Sequence, residues 1–141
     1  MTDAYDAVRD HLKHDRFAAG NGMELVEVRP GYALARMTVE ERHLNSVGTV
    51  QGGALFTLAD LAFAGACNAA GRLAVGLNMS ISCVKATRSG TLRAEAEEIS
   101  RSRKLSTCTV RVSNDEGQLL ALFQGTAYIM DDTFPPSSTR T

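Results

Sequence analysis

Two periodicities divide the chain. Residues 3–18 place apolar side chains at helical spacing, predicting an opening helix with Val8, Leu12 and Phe17 turned inward and Gly20-Asn21-Gly22 as its stop. The next stretch changes to period two: Met23-Glu24-Leu25-Val26-Glu27-Val28 and Tyr32–Val39 alternate as strands, and Arg29-Pro30-Gly31 between them predicts a hairpin turn. A polar loop over 40–51 leads to a long apolar helix over 52–70, closed by Gly71-Arg72. Four strand-like runs follow, at 74–86, 91–102, 105–114 and 118–130. Arg88-Ser89-Gly90 and Asn114-Asp115-Glu116-Gly117 supply turn chemistry between them. Connections this short make antiparallel neighbours. From Asp131 the chain carries Pro135-Pro136 and serines and is expected to be a flexible tail.

The elements give an α+β layout: a single curved antiparallel sheet of about six strands wrapped around one long central helix. A chain of 141 residues accommodates one such domain, spanning 1–141 with its core at about 20–130. The central helix is apolar nearly all round, so it needs cover on more than one side. The sheet supplies one side, and a second copy of the chain is the expected cover for the rest.

Composition narrows the function. A hydrophobic content of 44% with 22% charged residues excludes wholesale disorder. A net charge of −1 argues against a general nucleic-acid binder. The run 52–71 has the length of a membrane span, but Asp60 at its centre would be heavily penalised in a bilayer, so a buried helix is expected. The first residues lack a basic segment followed by an apolar one, and the expected location is the cytoplasm. Cys67, Cys83 and Cys108 form no CxxC pair, which leaves no zinc or dithiol motif and predicts three buried thiols. His11 and His14 lack the further ligands a metal site needs and are expected at the surface.

Asp60 is the only charged residue between Gly52 and Gly71, and no Lys or Arg lies three or four positions from it. At ~100° per residue it falls beside Phe56 and Cys67, on the border of the face formed by Leu55, Ala59, Ala62 and Ala66. Such a residue either meets solvent on a helix edge or is placed for chemistry. Gly52 and Gly53 open the same helix and leave its first N–H groups uncovered, with the helix dipole adding positive character there. Main-chain donors and a carboxylate are what acyl transfer needs: one set holds an oxyanion, and the other is nucleophile or general base. An amide from Gln51 or Asn45 could orient the carbonyl or the water. There is no GxSxG elbow, and no cysteine has a plausible histidine partner.

His43-x-Asn45-x-x-Gly48-Thr49-x-x-Gly52-Gly53-x(6)-Asp60 resembles the PaaI-type branch of the hotdog-fold acyl-CoA thioesterases. The resemblance covers roughly residues 20–130. It implies hydrolysis of an acyl- or aryl-CoA to free acid and coenzyme A, in a homodimer often doubled to a homotetramer, with active sites at the subunit interface. Coenzyme A is then part of the substrate, and no other cofactor and no metal is implied. Carried over by position, Asp60 is the catalytic carboxylate, the Gly52 N–H polarises the carbonyl, and Asn45 positions water or the carboxylate. Gly53 lies in the substrate-binding turn. Arg101, Arg103 and Lys104 fall where the family often holds coenzyme A, and Lys85 and Arg88 are further candidates. Two departures stand out. Gln51 replaces the family's usual histidine and cannot take up a proton near neutral pH. Gly76 stands where some relatives carry a Ser or Thr facing the carboxylate. These departures motivate the alternative of a non-catalytic acyl-CoA-binding or sensing protein on the same scaffold. A hydratase on this fold would need a catalytic histidine, and only His43 lies near the helix.

Overall fold

The computed structural model describes residues 3–136. The opening helix is broken in two. α1 (Ala4–Leu12) starts where Asp3 accepts a hydrogen bond from the Tyr5 N–H, and Val8 is its buried anchor. After a turn at Lys13–His14, Asp15 caps α2 (Arg16–Gly20) by accepting from the Ala18 N–H at 3.0 Å. The single helix expected over 3–18 is thus corrected. A second capping aspartate restarts the chain in a new direction, because its carboxylate satisfies an N–H that an uninterrupted helix would have bonded itself. The new direction turns Phe17 outward: it is 69% exposed, where an inward position was expected.

β1 (Met23–Arg29) and β2 (Tyr32–Thr38) form the hairpin, closed at Gly31 with φ +66°. A 3-10 turn (Glu41–His43) precedes α3 (Gly52–Asn68), and β3 (Arg72–Cys83), β4 (Thr91–Arg101), β5 (Leu105–Ser113) and β6 (Leu119–Thr133) follow. All pair antiparallel in one sheet of order β1-β2-β4-β5-β6-β3. α3 carries the chain from the β1–β2 end across to β3 at the other edge and lies in the hollow of the sheet.

Small residues let the helix settle closely. Ala33, Ala35, Ala94 and Ala96 are fully buried beneath it, and a Cβ added at Gly65 would come within 2.8 Å of the Ala33 Cβ. Leu58, Leu92, Val110, Val112 and Phe123 fill the remaining core. The C-terminus of α3 is closed by Asn68, whose side chain accepts from the Ala74 N–H at 2.8 Å and donates to the Ala64 carbonyl at 2.9 Å. This fixes where β3 starts.

One feature differs from expectation. β6 continues to Thr133, and Phe134 is buried with its ring edge-on to His11 at 5.1 Å, so a flexible tail does not begin at Asp131. The remainder of the expected tail, 137–141, lies outside the described residues. Among the described residues β3 has one hydrogen-bonded neighbour, β6, and Val75, Leu77, Asn78 and Ser80 along it are exposed. A twelve-residue edge with exposed apolar side chains is an open pairing surface.

Candidate active site

The approach to α3 is a loop that closes on itself. Leu44 and Val50 form an isolated bridge. Between them the Asn45 Oδ1 accepts from the Val47 and Thr49 N–H groups at 3.0 and 3.1 Å, and its Nδ2 donates to Thr49 Oγ1 at 2.9 Å. Arg88 completes the loop from outside, donating from Nη1 to the Val47 and Gly48 carbonyls, each at 3.1 Å. Gly48 has φ +80°, and a Cβ there would lie 2.9 Å from that guanidinium nitrogen. Asn45 and Arg88 therefore shape the loop, and one Nδ2 hydrogen of Asn45 is left for other partners.

Gln51 is the N-cap of α3. Its Oε1 accepts from the Gly53 N–H, and its carbonyl accepts from the Ala54 and Leu55 N–H groups. A Cβ at Gly53 would sit 2.6 Å from Gln51 Oε1, so the second glycine is what allows this cap. The cap accounts for the first-turn donors with one exception: among the described residues, the Gly52 N–H has no partner. Gly52 is exposed, and the helix dipole concentrates positive potential at that single donor.

A cleft of about 330 Å³ opens in front of it, lined by Asn45, Thr49, Gly52, Cys83, Lys85 and Thr87 among others. Lys85 is exposed: its N–H donates to the Leu120 carbonyl at 3.2 Å, while among the described residues its ammonium makes no ion pair or hydrogen bond. It is a free cation beside a free main-chain donor. Cys83 is exposed, a correction to the expectation of three buried thiols, and its Sγ is 3.9 Å from where a Gly52 Cβ would be. Sequence reading missed Cys83 as a wall of the cleft. The signal was its parity: Met79, Ile81 and Cys83 share a face, and the last of them overhangs the small start of the helix. Cys67 and Cys108 are buried, which pushes both thiols up, Cys108 to about 11, so neither is a thiolate nucleophile at neutral pH.

Asp60 is half-buried on the one stretch of α3 that the sheet leaves open, alongside Gly53, Phe56, Thr57 and Ala64. Its carboxyl lies above the usual carboxylate range, first because burial strips water from it and second because the Asp15 carboxylate is near. Among the described residues it accepts no hydrogen bond and pairs with no cation. Phe56, one turn earlier, packs edge-on against Phe123 at 5.3 Å and forms an aromatic flank.

Asp60 and Gly52 are separated by eight residues of helix, about 12 Å along the axis. A general base and an oxyanion donor must each come within about 3 Å of neighbouring atoms of one ester group. One protomer thus cannot bring both to the same carbonyl.

The other candidate residues divide by location. Arg101 is at the opposite end of α3. It donates to the Glu98 carboxylate at 2.8 Å and to the Cys67 carbonyl at 3.3 Å, and Ser106 also donates to that carboxylate. It therefore serves the helix C-terminus, where a cation complements the dipole. Arg103 and Lys104 are exposed in the adjoining turn, with Lys104 Nζ 5.5 Å from the centre of the Tyr128 ring. Neither shares the cleft with Gly52. Gly76 sits on the open β3 edge, where a Cβ would meet the end of the Met79 side chain, Sδ at 2.7 Å. His43 is buried: its Nδ1 accepts from the Glu40 N–H, and its Nε2 faces the Asn21 carbonyl at 2.7 Å. Both nitrogens are committed to structure.

A thioesterase superfamily profile matches residues 47–121, from the loop before α3 through to β6. A protein of Archaeoglobus fulgidus is 38% identical over 94% of this chain and 88% of its own length. The acyl-coenzyme A thioesterase PaaI of Escherichia coli is 31% identical over 86% of this chain and 87% of its own. The solved structure of the E. coli PaaI protein from the phenylacetic acid degradation operon superposes with a TM-score of 0.87 at 30% identity, covering 92% of this chain and 95% of that one.

Proposed function

The chain belongs to the thioesterase superfamily, and on that premise we propose that it hydrolyses acyl-CoA thioesters at sites shared between two protomers. The hotdog fold and the PaaI relative support the reaction class. The observation that carries the site is the pair of unsatisfied groups on α3, the partnerless Gly52 N–H and the half-buried, unpaired Asp60. Their axial separation calls for a second copy. The exposed edge of β3 is where that copy pairs, in a homodimer that can double to a tetramer, so that Asp60 of one protomer faces Gly52 of its partner.

In this arrangement the thioester carbonyl oxygen accepts from the Gly52 N–H, and negative charge developing on it meets the positive end of the helix dipole. Asp60 either takes a proton from a water that attacks the carbonyl carbon, or attacks that carbon itself to form a mixed anhydride that water then hydrolyses. In both routes the C–S bond breaks, water supplies the new oxygen of the free acid, and the coenzyme A sulfur leaves and takes up a proton as the thiol. Lys85 holds a phosphate of coenzyme A at the mouth of the cleft. Asn45, Arg88, Gln51 and Gly53 keep the Gly52 amide exposed. Arg103 and Lys104 can reach a nucleotide only from the partner's side. No group beyond the substrate and water enters the reaction, and the expected location is the cytoplasm.

Release of free thiol from short, medium, long and aromatic acyl-CoAs tests the reading, alongside sedimentation to establish the assembly. Turnover of at least one class by a dimer or tetramer is expected. Tight coenzyme A binding without thiol release from any member of the panel would assign the chain to the binding proteins instead.

A further inference from the structure

Phe17 stands out among the exposed apolar residues. Among the described residues it is the one aromatic side chain in that group, 69% exposed on a helix that the Asp15 cap has turned outward. It overhangs a second cavity of about 230 Å³, on the other flank of the α3 start from the Lys85 cleft, with Leu44, Gly53, Ala54 and Thr57 among its walls. Thr57 is one turn before Asp60, so the two side chains are neighbours on the helix surface. Thr57 Oγ1 is itself used, donating to the Gly53 carbonyl at 2.8 Å.

The charge of this cavity differs from that of the cleft. Its cation, Arg42, is held by the Glu40 carboxylate at 2.7 Å and the Gly20 carbonyl at 2.6 Å, and its histidine, His43, is hydrogen-bonded on both nitrogens. No wall offers a free charge to a phosphate. Its walls mix polar side chains, Asn21 and Gln51 among them, with the apolar Phe17, Met23, Leu44 and Ala54, and a space of about 230 Å³ suits a compact group better than a long chain.

Resting on the thioesterase reading, we infer that Phe17 is a specificity-determining residue: its ring covers the acyl group of the substrate along α3 beside Asp60, favouring medium aliphatic or single-ring acyl groups. On this assignment a longer acyl group extends further from Asp60 toward the ring, so discrimination is expected to grow with acyl size. Phe17 touches only the non-reacting end of the substrate and affects binding more than chemistry.

The test measures kcat and KM for the wild type, Phe17→Ala and Phe17→Leu with acetyl-, hexanoyl- and benzoyl-CoA. Calorimetric affinities for the matching non-hydrolysable thioethers are measured in parallel. Phe17→Ala is expected to raise KM for hexanoyl- and benzoyl-CoA about tenfold, the scale of a lost pocket contact, while acetyl-CoA values stay unchanged. Phe17→Leu should restore the hexanoyl value more than the benzoyl one. Melting temperatures should not move, because the exposed ring supports little of the core. Equal losses across the series, or none, would overturn the assignment while leaving the hydrolase reading intact. Graded thioether affinities that Phe17→Ala flattens, in a protein that releases no thiol, would support the pocket and sink the hydrolase reading. Thioether binding indifferent to Phe17→Ala would overturn the pocket whatever the turnover.

Discussion

Replacing Asp60 by Asn should move activity and stability in opposite directions. Asn keeps the shape of the side chain but cannot accept a proton or attack a carbonyl carbon. Loss of a positioned general base lowers the rate by about 10²–10⁴, equivalent to roughly 3–5 kcal/mol of barrier. A lost nucleophile costs at least as much. Stability follows from the environment of the carboxyl. It accepts no hydrogen bond and has no cation partner among the described residues, so removing its charge sacrifices no contact. Burial and Asp15 raise its proton affinity in the folded state above the ordinary value of 3.8. The folded chain thus holds that proton to higher pH than the unfolded chain does. Stability from this group declines as pH rises from the ordinary carboxylate range through the raised value, and it stays lower above it. At neutral pH the variant should melt about 2 °C higher, a modest gain because the side chain still touches water. The gain should narrow as the pH is lowered through the raised value, where wild-type Asp60 takes up its own proton. Thiol release and calorimetric melting on the same preparations give both numbers. A variant that keeps its rate within tenfold, or melts lower than wild type at neutral pH, would refute an unpaired carboxylate placed for chemistry.

Asp15→Asn preserves the α2 cap while removing the nearby negative charge, so the acid limb of kcat/KM should shift to lower pH with little change in melting temperature. Gly52→Ala places a methyl in open space 3.9 Å from Cys83 Sγ. It should stabilise the helix start by about 0.5 kcal/mol yet lower kcat/KM by narrowing the approach to the free N–H, which thermal melts and kinetics would separate. Lys85→Ala should raise KM for acyl-CoA about tenfold and weaken its dependence on salt, with kcat unchanged, as expected when a charge-assisted phosphate contact is lost. Arg101→Ala strips the half-buried Glu98 of its cation and should cost about 2 kcal/mol in a urea titration. An Arg101→Ala change that raised KM without lowering stability would return Arg101 to the coenzyme A site.

The sequence alone determined the order of elements, the antiparallel sheet and the central helix, because each depends on local periodicity and turn chemistry. It also singled out Asp60 and Gly52: an acid in an apolar helix and glycines at a helix start are visible without coordinates. Tertiary structure decided which groups remain free. Asn45, Arg88 and Gln51 look like site residues in the sequence, yet each commits side-chain hydrogen bonds to holding the loop and helix start that leave the Gly52 amide open. Arg101 and Lys85 read alike as basic residues near strand ends, but α3 separates them, with Glu98 neutralising the first and nothing among the described residues pairing the second. Phe17 fits an inward helical position by spacing, and only the second cap at Asp15 turns it outward. Periodicity fixes which face of an element a residue occupies. What that face meets depends on partners distant in the chain, and those partners decide whether a polar group is spent on the fold or left for a substrate.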